Sequence, residues 1–231
     1  MTVNIVNEID KWVRVQNALI SVTDKRQLDI LAQGLVSLGP TMRIFSTGGT
    51  YAYLKESLGA EAAGRHLVQV SDYTGQPETQ GGLVKTLDFK IYLGLLTETY
   101  NPAHQQDLKR TQAVAIDLVA VNLYPFEQTI AKPGVTIEEA RANIDIGGPC
   151  MLRAAAKNYL RVAAVVDPND YAPLIKKMRV NGGRLDVATR FELARKAFAH
   201  TGNYDRAITG YLSNVPTESV ERCYQLKESS V

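Results

Sequence analysis

Short, nearly continuous apolar runs alternate along the chain with stretches in which apolar residues return every three or four positions. Gly, Pro and polar clusters separate the two kinds of segment. Residues 18–21 form the first run and lead into Ser-Val-Thr-Asp-Lys, a strand entering a helix N-terminus. Leu28, Leu31, Ala32, Leu35 and Leu38 then recur at helical spacing until Gly39-Pro40 ends the pattern. Residues 42–45 predict a second strand, and Ser46-Thr47-Gly48-Gly49-Thr50 opens a second helix reaching Leu58. Residues 67–70 and 90–96 predict further strands, with a long Gly- and Pro-containing loop at 71–82 between them. A helix is predicted over 101–110. Residues 116–123 read as a strand buried on both faces, ended by Tyr124-Pro125.

The last third of the chain becomes more helical. Helices are predicted over 136–142, 149–158 and 170–178, a strand over 162–166, and a final helix marked by Val187, Phe191, Ala194 and Phe198. Strands alternating with helices in this way predict an α/β fold: a parallel β-sheet flanked by helices on both faces, with a helical C-terminal portion. Residues 1–16 read as an N-terminal extension on the surface, 17–212 as one domain, and 213–231 as a polar tail.

Composition narrows the functional classes. The 231 residues carry 26 Lys and Arg against 24 Asp and Glu, a net charge of +2, and are long enough for one large domain. Hydrophobic residues at 45% and charged residues at 22% match an ordinary globule rather than a disordered chain. Basic runs are absent, so nucleic acid is not an expected partner. The longest strictly apolar run, residues 162–166, is far too short to span a bilayer, and membrane association is not expected either. Charges at Glu8, Asp10, Lys11 and Arg14 break up the apolar stretch a signal peptide needs, so the expected location is cytoplasmic. Cys150 and Cys223 form neither a disulfide framework nor a metal-ligand pattern.

Several familiar chemistries are disfavoured by missing motifs. Gly never recurs at i and i+2, no Gly-Lys pair occurs, and HExxH, CxxC and GxSxG are all absent. What the sequence does offer is two loops that follow predicted parallel strands and open helices, residues 21–25 and 46–50. Ser21, Thr23 and Lys25 in the first, and Ser46, Thr47, Gly48, Gly49 and Thr50 in the second, supply hydroxyls, N–H groups and a cation at positive helix ends. Each loop alone is explained as a set of N-caps. Two at the same sheet end point to a phosphate monoester. Further candidates are Lys85, Tyr124 at the end of the buried strand, Asp145 beside Gly147-Gly148, and Lys157, which shares a helix face with Arg153 at i, i+4.

The ordered segments SVTDK, STGGT, VSDYTG, VKTL, NLYPF, AKPGVT, NIDIGGP and RAAAKN together resemble the inosine monophosphate cyclohydrolase domain. That domain forms the N-terminal half of a bifunctional purine-biosynthesis protein whose other half is a formyltransferase. The resemblance covers residues 17–212 and implies a methylglyoxal synthase-like fold. It implies closure of 5-formamidoimidazole-4-carboxamide ribotide to inosine monophosphate with loss of water, a cyclic amidine hydrolase activity without cofactor or metal. Lys85 and Tyr124 would face the formyl oxygen, Asp145 would orient the carboxamide or accept its proton, and Lys157 would complete the electrostatic surround. The two loops would hold the 5′-phosphate, with Asn122, Gly147 and Gly148 also against the substrate. A homodimer, and a separate formyltransferase chain as partner, are further expectations.

One stretch departs from the family pattern. Leu83 stands where the family has Arg, and the stretch Asp88-Phe89-Lys90-Ile91-Tyr92 stands where it has a His-Pro pair followed by a second His. Loss of an Arg removes a planar donor fork that Lys does not reproduce. Lys90 and other groups compensating in an active enzyme is the favoured reading. The competing functions are a phosphate-metabolite binding module without chemistry and methylglyoxal synthase itself. Lys85, Tyr124 and Asp145 speak against the first, and NLYPF with RAAAKN against the second.

Overall fold

The structure is a computed structural model that describes residues 5–76 and 84–227. Among these residues a five-stranded parallel sheet is built from β2 (Asn17–Val22), β3 (Arg43–Ser46), β4 (Leu67–Gln69), β5 (Leu118–Asn122) and β6 (Ala163–Val165), in the order β4-β3-β2-β5-β6. Every pairing is parallel, so crossovers cover both faces. Alternation along each strand sorts the core into two layers. Ala18, Ile20, Val22, Ile44, Leu118 and Ala120 face one layer, and Leu19, Phe45, Val119 and Val121 face the other.

The first layer is closed by α1 (Leu28–Val36), α2 (Gly48–His66) and α9 (Tyr171–Val180), and the second by α4 (Phe89–Leu96), α8 (Gly147–Lys157) and α10 (Val187–Ser213). Gly34 lets α1 lie directly on Ile175 of α9, because a Cβ there would stand 2.6 Å from that side chain. Shorter helices α3 (Val70–Thr74), α5 (Pro102–Thr111), α6 (Phe126–Ile130), α7 (Ile137–Ala142) and α11 (Thr217–Cys223) complete the chain. Thr136 starts α7 with a full capping box to Glu139.

The parallel sheet flanked by helices is as the apolar pattern predicts, and four segments differ from it. Residues 90–96 form helix α4 rather than a strand: Asp88 caps it by accepting from the Lys90 N–H at 2.7 Å. Ile91, Gly94 and Leu95 are its buried face, at helical spacing. The expected loop at 71–82 begins as helix α3, while residues 77–83, with Leu83, lie outside the described residues. The N-terminal extension contributes a strand, β1 (Trp12–Arg14), paired antiparallel with β7 (Arg184–Asp186). Buried Arg190 fastens it by donating to the carbonyls of Asp10, Leu160, Leu185 and Tyr159. Past residue 212, α11 forms, and Tyr224 beyond it donates its hydroxyl to Glu138 at 2.5 Å. Among the described residues no helix is long and apolar enough to cross a membrane.

Candidate active site

Strand order reverses between β2 and β5, and in open α/β sheets the crevice past the carboxyl ends of such strands is where ligands sit. Here that crevice is a cavity of about 440 Å³, and its floor is Ser21 and Val22 from β2 with Val121 and Asn122 from β5. Thr23 and Lys25 line one side, and Thr47, Gly48, Gly49 and Thr50 at the start of α2 line another. Lys85 with Thr86 and Leu87, Tyr124, and the 144–148 turn with Asp145 close it.

The polar groups of this cleft divide into those that build it and those free to meet a ligand. Thr50 Oγ1 donates to the Val22 carbonyl at 2.9 Å and accepts from the Val22 N–H at 3.1 Å, tying α2 to the end of β2. Asn122 Oδ1 accepts from the N–H groups of Thr23 at 2.6 Å and Asp24 at 2.9 Å, and its Nδ2 donates to the Asp24 carbonyl at 3.0 Å. Its amide is therefore a clamp on the 21–25 loop. Gly48 and Gly49 carry the first N–H groups of α2, for which Thr47 supplies no side-chain cap. A Cβ at Gly49 would meet nothing within 4 Å, so its backbone is open to an oxygen.

Positive charge is concentrated around these donors. Lys25 Nζ donates to the Val22 carbonyl at 2.9 Å, and burial holds its pKa below the ordinary lysine value. Lys85 Nζ reaches across to Gly48. A second helix, α8, also begins in the cleft, so two positive helix ends converge there. Gly147 allows close approach of Thr86, since a Cβ at Gly147 would sit 2.5 Å from Thr86 Oγ1.

Asp145 is the acid of the cleft. Its Oδ1 accepts from the Gly148 N–H at 2.8 Å. Burial raises its pKa above the usual carboxylate value, against the pull of the backbone groups of Gly148 and Tyr124. Tyr124, two residues past the end of β5, is 49% exposed and lines the cleft. A phenol, an ammonium and a carboxyl group of raised basicity thus share one concave site with an anion cradle. Among the described residues no cluster of three or more His, Cys, Asp or Glu side chains is placed to hold a metal ion.

Two expected residues fall elsewhere. Ser46 is fully buried below the cleft, where its hydroxyl donates to the Ile20 carbonyl at 2.7 Å. Lys157 ends α8, whose 11 residues carry it about 15 Å from the cleft end at a rise of ~1.5 Å each. It is exposed there and does not line the cavity. Its face-mate Arg153 covers the Phe198 ring at 5.6 Å instead. Lys90 does not line the cleft either: its ammonium donates to the Tyr73 carbonyl at 3.3 Å and lies over the Tyr73 ring. Sequence reasoning missed Thr86, Leu87, Ile144, Ile146 and Met151 as lining residues. Thr86 and Leu87 already lie within the VKTL segment, directly after Lys85, and that adjacency is the signal that could have found them.

A parallel sheet with helix N-termini and lysines converging on one strand-end crevice defines an α/β fold whose cleft offers donors and positive charge suited to an anionic group. The chain belongs to the MGS-like domain family, whose model matches residues 27–150, just over half of its length. Residues 155–230 match a second model, described as the AICARFT/IMPCHase bienzyme. Among solved structures, the crystal structure of ForH is similar, with a TM-score of 0.70 and 34% sequence identity over 84% of this chain and 97% of that one.

Proposed function

We propose that the protein is an inosine monophosphate cyclohydrolase, closing 5-formamidoimidazole-4-carboxamide ribotide to inosine monophosphate and water. The observation that carries the reading is the convergence of Lys85, Tyr124 and Asp145 on a single cleft with the 21–25 and 47–50 anion cradle. The match of residues 155–230 to the bienzyme model supports it. Pure phosphate binding needs the cradle alone and gives no reason for a phenol and a carboxyl group at the far wall.

The reaction places its own demands. The carboxamide nitrogen attacks the formyl carbon, a C–N bond forms, and the nitrogen's proton moves to the formyl oxygen. The resulting carbinol then loses its C–O bond, and the oxygen departs as water with a second proton, taken from ring nitrogen. Both reacting groups belong to one molecule, so alignment rather than encounter limits the rate. With the 5′-phosphate held at Thr47, Gly49 and Lys25, the base extends past the Lys85 ammonium, which lies against Gly48, toward Tyr124 and Asp145. Lys85 and Tyr124 stabilise charge on the formyl oxygen and supply its proton. Asp145, its basicity raised by burial, accepts the proton leaving the carboxamide. Lys157 has no part in this arrangement. We further propose that the protein works as a homodimer.

The test is turnover of the purified chain with the formamido ribotide, followed by absorbance and by identification of inosine monophosphate. Lys85→Ala and Tyr124→Phe should each lower kcat by about 10²-fold or more. A protein that is stabilised thermally by the nucleotide yet forms no product is a binding module, and the proposal is then wrong.

A further inference from the structure

We infer that Tyr204 is a positioning residue: its hydroxyl, carried by the long helix α10, sets the turn that presents Asp145 to the cleft. This rests on Asp145 being a group that meets substrate.

Residues 143–146 join α7 to α8; the Asn143 and Ile144 N–H groups still bond back to α7 carbonyls, whereas the Asp145 N–H and the Asn143 carbonyl find their partner outside that helix. One hydroxyl serves two of them. Tyr204 Oη accepts from the Asp145 N–H at 2.8 Å and donates to the Asn143 carbonyl at 3.3 Å. The Asp145 carboxyl is then gripped from the other side by the Gly148 N–H at 2.8 Å. A side chain held at its own N–H and at its carboxyl oxygen has little freedom left. The phenol ring is itself fixed, edge-on to buried Phe126 at 6.2 Å between centroids. Phe126 opens α6 two residues after Tyr124, so the same ring pair anchors the segments bearing Tyr124 and Asp145. Burial keeps the Tyr204 hydroxyl protonated well into alkaline solution, and its donation to Asn143 persists there.

The division of the chain gives this contact its meaning. The cavity lining ends at Met151, and the MGS-like model ends at residue 150. Among the described residues, the segment that matches the bienzyme model, 155–230, lines none of the cavity. Among the described contacts it touches the Asp145 turn through Tyr204. What that segment adds to the cleft is orientation of a group already present, in the manner of outer-shell partners that fix a reacting side chain.

Tyr204→Phe tests this, because it keeps the ring and removes only the hydroxyl. The expected result is a kcat about 10–100-fold lower with KM within about twofold, since the phosphate cradle is untouched. The limb of the pH–rate profile governed by Asp145 should move. Carbon-13 NMR of the Asp145 carboxyl should show a displaced titration midpoint, and hydrogen exchange at the Asp145 amide should speed up about tenfold. Tyr211→Phe, which strips a hydroxyl from the other ring packed on Phe126, should change none of these. An unmoved carboxyl titration and an unmoved amide in folded Tyr204→Phe overturn the inference, whatever the activity. Failure of Tyr204→Phe to fold overturns it too, by making the hydroxyl a general prop of the fold. Displaced NMR signals in a protein that never turns over the formamido ribotide uphold the positioning and sink the proposed reaction instead.

Discussion

The ammonium of Lys85 lies against the backbone of Gly48: a Cβ built on Gly48 would stand 3.2 Å from Lys85 Nζ. Gly48 also takes a φ of 49°, in the left-handed region. A side chain at this position is therefore opposed twice, by backbone strain of about 1–2 kcal/mol and by the lysine. Gly48 opens α2, the helix whose N-terminus faces the cleft, so the contact joins the anion cradle to the group assigned to the formyl oxygen. Gly48→Ala should weaken binding of a nucleoside monophosphate about tenfold or more and lower turnover further, while thermal stability falls by a few degrees. Isothermal titration with inosine monophosphate checks the first effect and turnover the second. Affinity and kcat both at the wild-type level would show that Lys85 does not need this approach.

Asp145 makes a prediction about pH. Burial raises its folded-state pKa above the unfolded value. The contribution of this group to stability is therefore complete below the ordinary carboxylate range, about pH 4, and is lost as pH rises through the raised folded value. Asp145→Asn removes the titration while its side-chain oxygen can still accept from the Gly148 N–H. The variant should be more stable than the parent near pH 7, by roughly 1 kcal/mol, with the gain shrinking as the solution is acidified. Turnover should fall steeply at the same time, the exchange of activity for stability seen where a group is held buried for chemistry. Urea denaturation at several pH values measures the difference, and a gap that grows toward acid would contradict the assignment.

Asn122 separates building the site from contacting the ligand. Its three hydrogen bonds to Thr23 and Asp24 hold the first loop against β5. Asn122→Ala leaves both N–H groups without that acceptor and frees the loop. Nucleotide affinity should drop about tenfold, near the 1.4 kcal/mol that one or two lost hydrogen bonds represent, with kcat changed much less. Asn122→Asp keeps the acceptor for the two N–H groups but places a negative charge beside the phosphate. It should bind more weakly than Asn122→Ala at neutral pH.

Much of this site was legible because its residues lie in short loops directly after apolar strands, where order along the chain and position in space coincide. Ser21 to Lys25, Thr47 to Thr50 and Tyr124 are of this kind, whereas Asp145 lies in the turn between α7 and α8 and is marked by the two glycines that follow it. Lys157 was not, because pairing with Arg153 at i, i+4 establishes a shared face but not which face, nor how far along α8 that face runs from the cleft. The run at 90–96 misled for a related reason: Ile91, Leu93, Leu95 alternate as a strand would, while Ile91, Gly94 and Leu95 also mark a helix, and only the Asp88 cap decides between them. Tyr204 was beyond reach, since its partner lies 59 residues away in sequence.

The Asp117–Arg161 pair was equally invisible from spacing, and it governs whether the sheet holds together. Arg161 Nη1 meets Asp117 Oδ1 at 3.0 Å with both side chains buried. Its other nitrogens donate to the carbonyls of Gly94 at 2.5 Å and Thr97 at 3.2 Å. Asp117 Oδ2 accepts from the N–H groups of Gln16 at 2.9 Å and Asn17 at 3.0 Å. This one pair therefore fixes the start of β5 to the start of β2 and to the end of α4. Removing one partner strands the other as an unpaired buried charge, at a cost of about 3–5 kcal/mol. Asp117→Ala and Arg161→Ala should each lower the urea midpoint by that equivalent, whereas breaking the exposed Arg65–Glu61 pair should cost less than about 1 kcal/mol. The double variant of Asp117 and Arg161 should lose less than the sum of the two single losses, because no lone charge remains. Strictly additive losses would show that the two side chains act through separate contacts, with the carboxylate serving the β2 backbone and the guanidinium serving α4.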